Sequence, residues 1–440
     1  MLAAAIRVLN AETGIRVAAA PLTDRPSGFY QERSTSIEST LMNILVLNSG
    51  SSSIKFQVFD MQDPTQPVVK GMAGRIAQKE SFLSIQHASR EPQRRELPLT
   101  DHRVALKAVF ESLREHLGGD LENAVQGIGH RIVHGGAKFS VAIRIDPKSL
   151  QGIKDVAELA PLHNRPSILG IEACQTQLSG VPNVAVFDTA LHRTMPRKAY
   201  LYGLPIELCE AQSIRKYGFH GINHGYAAQE AARLVDRPME SLRIISCHLG
   251  NGCSVTALDA GKSVDTSMGF TPLEGVMMGT RCGDIDPSVV LYLARDMGLG
   301  PDEIERLLNE RSGLRGLCGV SDMRDVLDRA DQGDARACAA VDVFVYRIQK
   351  YIGAFTATLH GVNAIVLTGG IGENSPYLRQ QILQPFEYLG LRIDAQLNAR
   401  NAPVFSTSDS AVYAVTVPAN EELAIARETY ELVTSVNCRS

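Results

Sequence analysis

Hydrophobic and polar positions fall into a regular order from Asn43 onward. Asn43-Ile-Leu-Val-Leu47 is a short apolar run, the pattern of a buried strand. Asn48-Ser-Gly-Ser-Ser-Ser53 is a small polar turn, and Ile54-Lys-Phe-Gln-Val-Phe59 alternates like a half-buried strand. A second unit of the same shape begins at Arg243: Arg243-Ile-Ile-Ser-Cys247, the turn His248-Leu-Gly-Asn-Gly252, then Cys253-Ser-Val-Thr-Ala-Leu258, with Asp259-Ala-Gly-Lys262 closing a hairpin. The two units share shape without long identity. A repeat at this separation predicts two related α/β domains facing each other rather than a solenoid of short units. A third apolar strand, Asn363-Ala-Ile-Val-Leu-Thr368, runs into Gly369-Gly-Ile-Gly-Glu-Asn374. Apolar residues spaced by three and four predict helices over 104–117, 226–235, 287–297 and 341–359. A last helix is predicted over 421–433, capped by Asn420 just after Pro418. Strands mixed with helices in this way read as α/β.

Residues 1–41 carry no such period. Glu12, Asp24, Glu32 and Glu38 count against a transit peptide. The segment reads as a loosely ordered extension or a mis-assigned start, with Met42 directly before the first strand.

Composition narrows the function classes. The chain has 440 residues, with 48 acidic side chains against 44 Lys plus Arg. That near balance argues against nucleic acid as a partner, which needs a basic surface. Hydrophobic residues at 44% and charged residues at 21% are those of a globular protein able to bury a core without disulfide staples. No run of 18 apolar residues predicts a membrane span. The eight cysteines are scattered with no CxxC pair, so a reducing, cytoplasmic setting is expected.

Small-residue turns after strands let backbone N–H groups approach phosphate, and the chain has three: 48–53, 249–252 and 369–372. Other nucleotide motifs fail. Gly261-Lys262-Ser263 resembles the end of a P-loop, but Thr256 stands where its first glycine is needed, and no GxGxxG opens a helix after the first strand. His220 and His224 are four apart, but Gly221 replaces the glutamate of a zinc protease, so metal ligation is the minor reading and a substrate-facing His220 the better one. Arg131 and Arg281 sit among glycines, where a guanidinium can grip a carboxylate or phosphate in bidentate fashion. An interdomain ion pair is the alternative for either. Asp188 ends the apolar run from Val184 to Phe187, a position that faces a cleft in α/β folds. Glu421 and Glu422 open the last helix, where an acid also simply complements the helix dipole.

Taken together, these segments resemble the acetate kinase family from Met42 to about Thr429. The likeness rests on Asn43 through Phe56, Gly129-His-Arg-Ile-Val-His-Gly-Gly136, Ala160-Pro-Leu-His-Asn164, Phe187-Asp-Thr-Ala190 and Tyr217-Gly-Phe-His-Gly221. It continues through His248-Leu-Gly-Asn-Gly252, Gly269-Phe-Thr-Pro-Leu-Glu-Gly275, Gly279-Thr-Arg-Cys-Gly-Asp-Ile-Asp-Pro287, Gly370-Ile-Gly-Glu-Asn-Ser375 and Asn420-Glu-Glu-Leu423.

The resemblance implies a fold of the actin, sugar-kinase and chaperone-ATPase superfamily. That fold has two duplicated actin-like (ribonuclease H-like) domains with a nucleotide cleft between them. The expected division is 42–190 plus 421–440 for one domain and 191–420 for the other. It implies reversible phosphoryl transfer between ATP and acetate, giving ADP and acetyl phosphate, with Mg2+ (Mn2+ a substitute) and a homodimer. By resemblance, Asp188, His220 and Arg281 are catalytic. Arg131 binds substrate, and Val133, Leu162, Phe219 and Pro272 hold the acetate methyl. Lys55, His248, Leu249, Gly250, Asn251, Gly252, Asp322, Met323, Arg324, Gly370, Ile371, Gly372, Glu373 and Asn374 contact nucleotide. Asn48 and Glu421 are associated with the metal. Two residues depart from the family pattern: Cys282 where Ser is common, and Met323 where Phe is common. They suggest changed nucleotide affinity or thiol sensitivity. Propionate or another short-chain acid is the alternative substrate, and an actin-like nucleotide switch the distant alternative.

Overall fold

A computed structural model describes residues 42–88 and 90–435, so the expectation for the extension 1–41 lies outside the described residues. The first sheet contains β1 (Asn43–Ser49), β2 (Ser53–Asp60), β3 (Val69–Gly74), β4 (Phe82–His87), β5 (Gln93–Glu96), β6 (Gly127–Ile132), β7 (Ile143–Arg144) and β8 (Asn183–Phe187). The second contains β9 (Arg243–Leu249), β10 (Cys253–Asp259), β11 (Lys262–Thr266), β12 (Ala364–Thr368) and β13 (Tyr413–Thr416). The helices used below are α1 (His102–Leu117), α2 (Pro161–Gln177), α3 (Gly221–Leu234), α4 (Pro287–Arg295), α5 (Met323–Asp331), α6 (Ala335–Thr358), α7 (Gly369–Asn374) and α8 (Glu421–Thr434).

The two sheets share a five-strand core. One runs β3-β2-β1-β6-β8 and the other β11-β10-β9-β12-β13. In both, the first three strands pair antiparallel and the last two join in parallel. The repeated strand–turn–strand unit of the sequence is the antiparallel hairpin at the heart of each sheet, β1–β2 and β9–β10. The first sheet adds the outer strands β4, β5 and β7.

Apolar runs follow from burial on both faces. Leu45 and Leu47 of β1 pack with Val109, Phe110 and Leu113 of α1, while Ile44 and Val46 pack with Leu423, Ile425 and Ala426 of α8. In β9, Ile245, Cys247 and Leu249 join the large core around α6, and Ile244 faces Ala227, Ala228, Ala231 and Ala232 of α3. Helix α3 touches both sheets, since its Ile222 belongs to the cluster of β1 and α8. The chain's last helix thus returns to cover β1, β6 and β8 of the first sheet.

Local chemistry sets the boundaries. Asp101 accepts from the N–H groups of Arg103 and Val104 and starts α1 at His102. Asn420 caps α8 through the Leu423 N–H, as expected. Ala260 and Gly261 both take positive φ (50° and 79°), the type I′ turn that suits a two-residue hairpin. Two expectations need correction. The segment 369–374 is a short helix rather than a turn. Its first residue, Gly369 (φ 78°), packs on Leu249, whose carbonyl oxygen would lie 2.7 Å from a Cβ there. The helix expected over 226–235 begins earlier, at Gly221. The Gly221 N–H donates to the Asp188 carbonyl at 2.9 Å, and any Cβ at Gly221 would clash with that oxygen. His220 therefore precedes the helix and His224 lies in its first turn, so the two do not share a helix face.

Candidate active site

Parallel pairing of β6 with β8 sets Arg131 beside Val186, two residues before Asp188. Asp188 is 1% exposed, and Arg131 donates to both its carboxylate oxygens, Nε to Oδ1 at 3.2 Å and Nη2 to Oδ2 at 2.6 Å. The first residue of α8, Glu421, brings its Oε2 to 3.4 Å from the same Nε. Burial favours the neutral acid at both carboxyls. At Asp188 burial, reinforced by Glu421, outweighs Arg131 and raises the pKa to about 6. At Glu421, Arg131, His248 and Lys55 outweigh burial and hold the carboxyl below its ordinary range. The Arg131 guanidinium stays protonated, because the two acids more than offset its own burial.

The second cluster belongs to the other sheet. His220 sits at φ 56°, in the left-handed region that few non-glycine residues occupy. Its ring stacks on His248 with centroids 4.2 Å apart, and its Nδ1 lies 2.9 Å from Ser254 Oγ. Burial and the neighbouring His248, His224, Arg131 and Arg281 depress its pKa, so the imidazole is neutral at physiological pH. Burial likewise lowers His248, with Glu421 opposing. The His248 Nδ1 is 2.8 Å from Asn223 Nδ2. Arg281 donates from Nη1 to the Pro272 carbonyl at 3.4 Å. A Cβ built on Gly252 would lie 3.5 Å from His220 Nε2 and 3.6 Å from Arg281 Nη1. A ring nitrogen of His220 and the Arg281 guanidinium, from separate segments, therefore meet over a turn that has no side chain.

Next to that turn is a cavity of about 720 Å³. Gly250, Asn251, Asp322, Met323, Arg324, Gly370, Ile371 and Asn374 line it, with Ser321, Leu327 and Ser375. Gly279 donates its N–H to the Asn251 carbonyl at 3.0 Å and so fixes the turn. Asp322 caps α5 and pairs with Arg324, whose guanidinium holds the Asp322 carboxyl down to about 2.

The remaining expected site residues are placed as follows. Leu249 is in the core and Gly372 packs on Leu367. Glu373 turns its carboxylate to the Ala419 N–H at 2.8 Å. Lys55, register partner of Asn48, is exposed on β2 along a groove with Gln57 and Lys70. Of the residues expected around a methyl group, Phe219 is 2% exposed and Val133 packs on the same core, whereas Leu162 is 71% exposed. Met323 is buried where it lines the cavity. Cys282 is half-buried, and burial raises its thiol pKa, which argues against thiol sensitivity at neutral pH.

Several neighbours were not singled out from the sequence. His163, in the first turn of α2, is lowered in pKa by burial and by Arg131 and Arg281. Asn164 bonds both the N–H and the carbonyl of His134 (3.1 and 2.9 Å), anchoring the loop that carries Val133. The Ala160-Pro-Leu-His-Asn164 motif was the available signal for both.

Residues 43–427 match the Acetokinase family. The chain belongs to the acetokinase family. It is 48% identical over 399 residues to an acetate kinase of Halothermothrix orenii, covering 90% of this chain and all of that protein. Among solved structures, acetate kinase from Porphyromonas gingivalis superposes with a TM-score of 0.85 at 36% identity, covering 89% of this chain and 100% of that one. A propionate kinase from Francisella tularensis superposes with a TM-score of 0.84 at 40% identity, with the same coverage. The acetokinase chain thus has an α/β fold with two sheets of the same core strand order, as the repeated units of its sequence led one to expect. Among the described residues no helix is long and apolar enough to cross a membrane, and no group of three or more His, Cys, Asp or Glu side chains is placed to hold a metal.

Proposed function

We propose that this chain catalyses reversible, Mg2+-dependent phosphoryl transfer between ATP and acetate, giving ADP and acetyl phosphate. The observation that carries the reading is the meeting of His220 and Arg281 over Gly252, beside the large cavity. The acceptor carboxylate has a pKa of roughly 4 and is already ionised, so no strong base is needed. The difficulty is electrostatic: an anion must approach an anionic phosphoryl group. Positioning and charge stabilisation are what phosphoryl transfer demands.

In this reading Arg131 holds the carboxylate in line, and Asp188 orients Arg131. His220, neutral, and Arg281 donate to the equatorial oxygens of the transferring group. The cavity lined by Asn251, Met323 and Ile371 takes the nucleotide. Val133, Phe219, Pro272 and Leu162 bound the small acid. Asn48 and Glu421 would hold Mg2+, directly or through water. The donor set suits it: these are oxygen ligands, and the Asp188 and Glu421 carboxylates share the single Arg131 guanidinium. When bound, the metal neutralises phosphate charge.

The family contains a propionate kinase structure at 40% identity, so propionate is the second reading. One methylene changes discrimination by only about 1–3 kcal/mol. Turnover of acetate, propionate and butyrate side by side tests the choice, with the highest kcat/KM expected for acetate. A nucleotide switch would need the glycine turns but not Arg131, His220 and Arg281, and their convergence counts against it.

The proposed domains are 42–190 with 421–440, and 191–420, supported by the return of α8 to the first sheet. Exposed Val289 and Tyr292, one turn apart on α4, and Val343 and Tyr346 on α6 support a homodimer. Light scattering on the purified chain tests it, and a monomer at micromolar concentration would count against it. Free thiols such as Cys174, Cys209 and Cys247 support a cytoplasmic location.

A further inference from the structure

Behind His220 runs a chain of three fully buried side chains with no role assigned so far. Ser254 Oγ is 2.9 Å from His220 Nδ1 and 2.7 Å from His224 Nε2. The other ring nitrogen of His224, Nδ1, is 2.9 Å from Ser246 Oγ. Ser246, His224 and Ser254 each have 0% exposure. Ser246 and Ser254 stand on neighbouring strands, β9 and β10, with His224 of α3 between them.

The direction of these bonds can be derived by counting protons. A neutral imidazole carries one N–H and one acceptor nitrogen, and a hydroxyl carries one proton. Ser254 therefore cannot donate to both rings. Suppose His220 donates from Nδ1. Ser254 then donates to His224 Nε2, His224 donates from Nδ1 to Ser246, and the Ser246 hydroxyl proton has no acceptor among the described residues. A buried donor left unpaired costs about 1–3 kcal/mol. Reversing the chain removes that cost. Ser246 donates to His224 Nδ1, His224 Nε2–H donates to Ser254, and Ser254 donates to His220 Nδ1. Every buried proton is then used, and the last N–H, on His220 Nε2, faces the space over Gly252 beside Arg281.

We propose that Ser254, backed by His224 and Ser246, is a positioning relay that fixes His220 in its Nε2–H tautomer, so that the site presents a donor and not a lone pair to the transferring phosphoryl group. The proposal rests on the reading of His220 as a donor given above. The opposite tautomer would aim a lone pair at an anion. This also gives the His220–His224 pair a purpose other than metal binding: His224 holds the relay, and His220 uses it.

The test combines kinetics with nitrogen NMR of the full chain labelled with 15N-histidine. The His220 signals are identified by their loss in His220→Ala. In the wild type, His220 is expected to show a protonated Nε2 and an unprotonated Nδ1. Ser254→Ala is expected to mix the tautomers and lower kcat about 10-fold or more, with the KM for acetate changed less than about threefold. Ser254→Thr, which keeps the hydroxyl, should restore both. Ser246→Ala, remote from the reacting groups, should also mix the tautomers. An Nδ1–H tautomer in the wild type, or unchanged kcat and tautomer in Ser254→Ala, would overturn the relay. Wild-type turnover in His220→Ala would instead overturn the donor role of His220, and the wild-type spectrum would still decide the relay.

Discussion

In the proposed reaction Arg131, His220 and Arg281 are three donors around a space where negative charge gathers. Each removed donor should lower turnover strongly, because preorganised donors in a water-poor site are worth far more than in water. Arg131→Ala, His220→Ala and Arg281→Ala are each expected to lose about 10²-fold or more in kcat while the protein stays folded. Steady-state kinetics with circular dichroism checks this, and near-wild-type turnover in all three would refute the assignment. At this scale the sequence was legible where chemistry is rare. An arginine among glycines and an aspartate closing an apolar strand stand out. Ser246, Ser254 and Asn223 do not, since a small polar residue in a strand or helix has no pattern until a partner from another element is seen against it.

Elements decide how these side chains meet. Gly221 lets the start of α3 press on the carbonyl of Asp188 at the end of β8. Gly221→Ala is expected to force these two segments apart, with a melting temperature lower by several degrees and reduced kcat, read by calorimetry and assay. The early start of α3 was hidden in the sequence because Gly221-Ile-Asn-His-Gly225 is poor in helix formers. Contacts from other elements anchor it there: the Gly221 N–H to Asp188, the packing of Ile222, and the side-chain bonds of Asn223 to His248 and of His224 to Ser246 and Ser254. By contrast, the strand–turn–strand units were legible because β1 and β9 are buried on both faces and so are continuously apolar.

Helix α8 carries a further consequence. Burial, reinforced by Glu431, raises the pKa of Glu428 from its ordinary 4.5 to about 7. The folded state thus holds this proton more tightly than the unfolded state. Its contribution to stability is fully present below pH 4.5 and is lost as pH rises through 7. Glu428→Gln, neutral at every pH, should be more stable than wild type at pH 8, by about 3 kcal/mol at most, and indistinguishable near pH 4. Urea unfolding at the two pH values checks this. Equal stabilities at pH 8 would contradict it.

Across the whole molecule, duplication makes the site. Each five-strand core repeats the same order and sense, and in the proposed reaction each contributes one half of the chemistry. The first sheet and the helix that returns to it carry Arg131, Asp188, Glu421 and the turn 48–53; the second sheet and its flanking segments carry His220, Arg281 and the glycine segments 249–252 and 369–372. The duplication was legible from two short units 200 residues apart, at Asn43 and Arg243. The outer strand β5 was not, because Gln93–Glu96 is polar and exposed throughout. The return of α8 was not visible in the residue pattern either, since periodicity says which face of a helix is apolar and not which sheet it covers.

Carboxylate phosphorylation is the reaction proposed for this junction of two donor sets. The most direct measurement is ATP formation from acetyl phosphate, ADP and Mg2+ by the purified chain, with and without chelator. Rapid ATP formation that disappears with chelation and returns with added Mg2+ is the expected result. Folded protein that binds ATP yet forms none from acetyl phosphate, at any Mg2+ concentration, would contradict it.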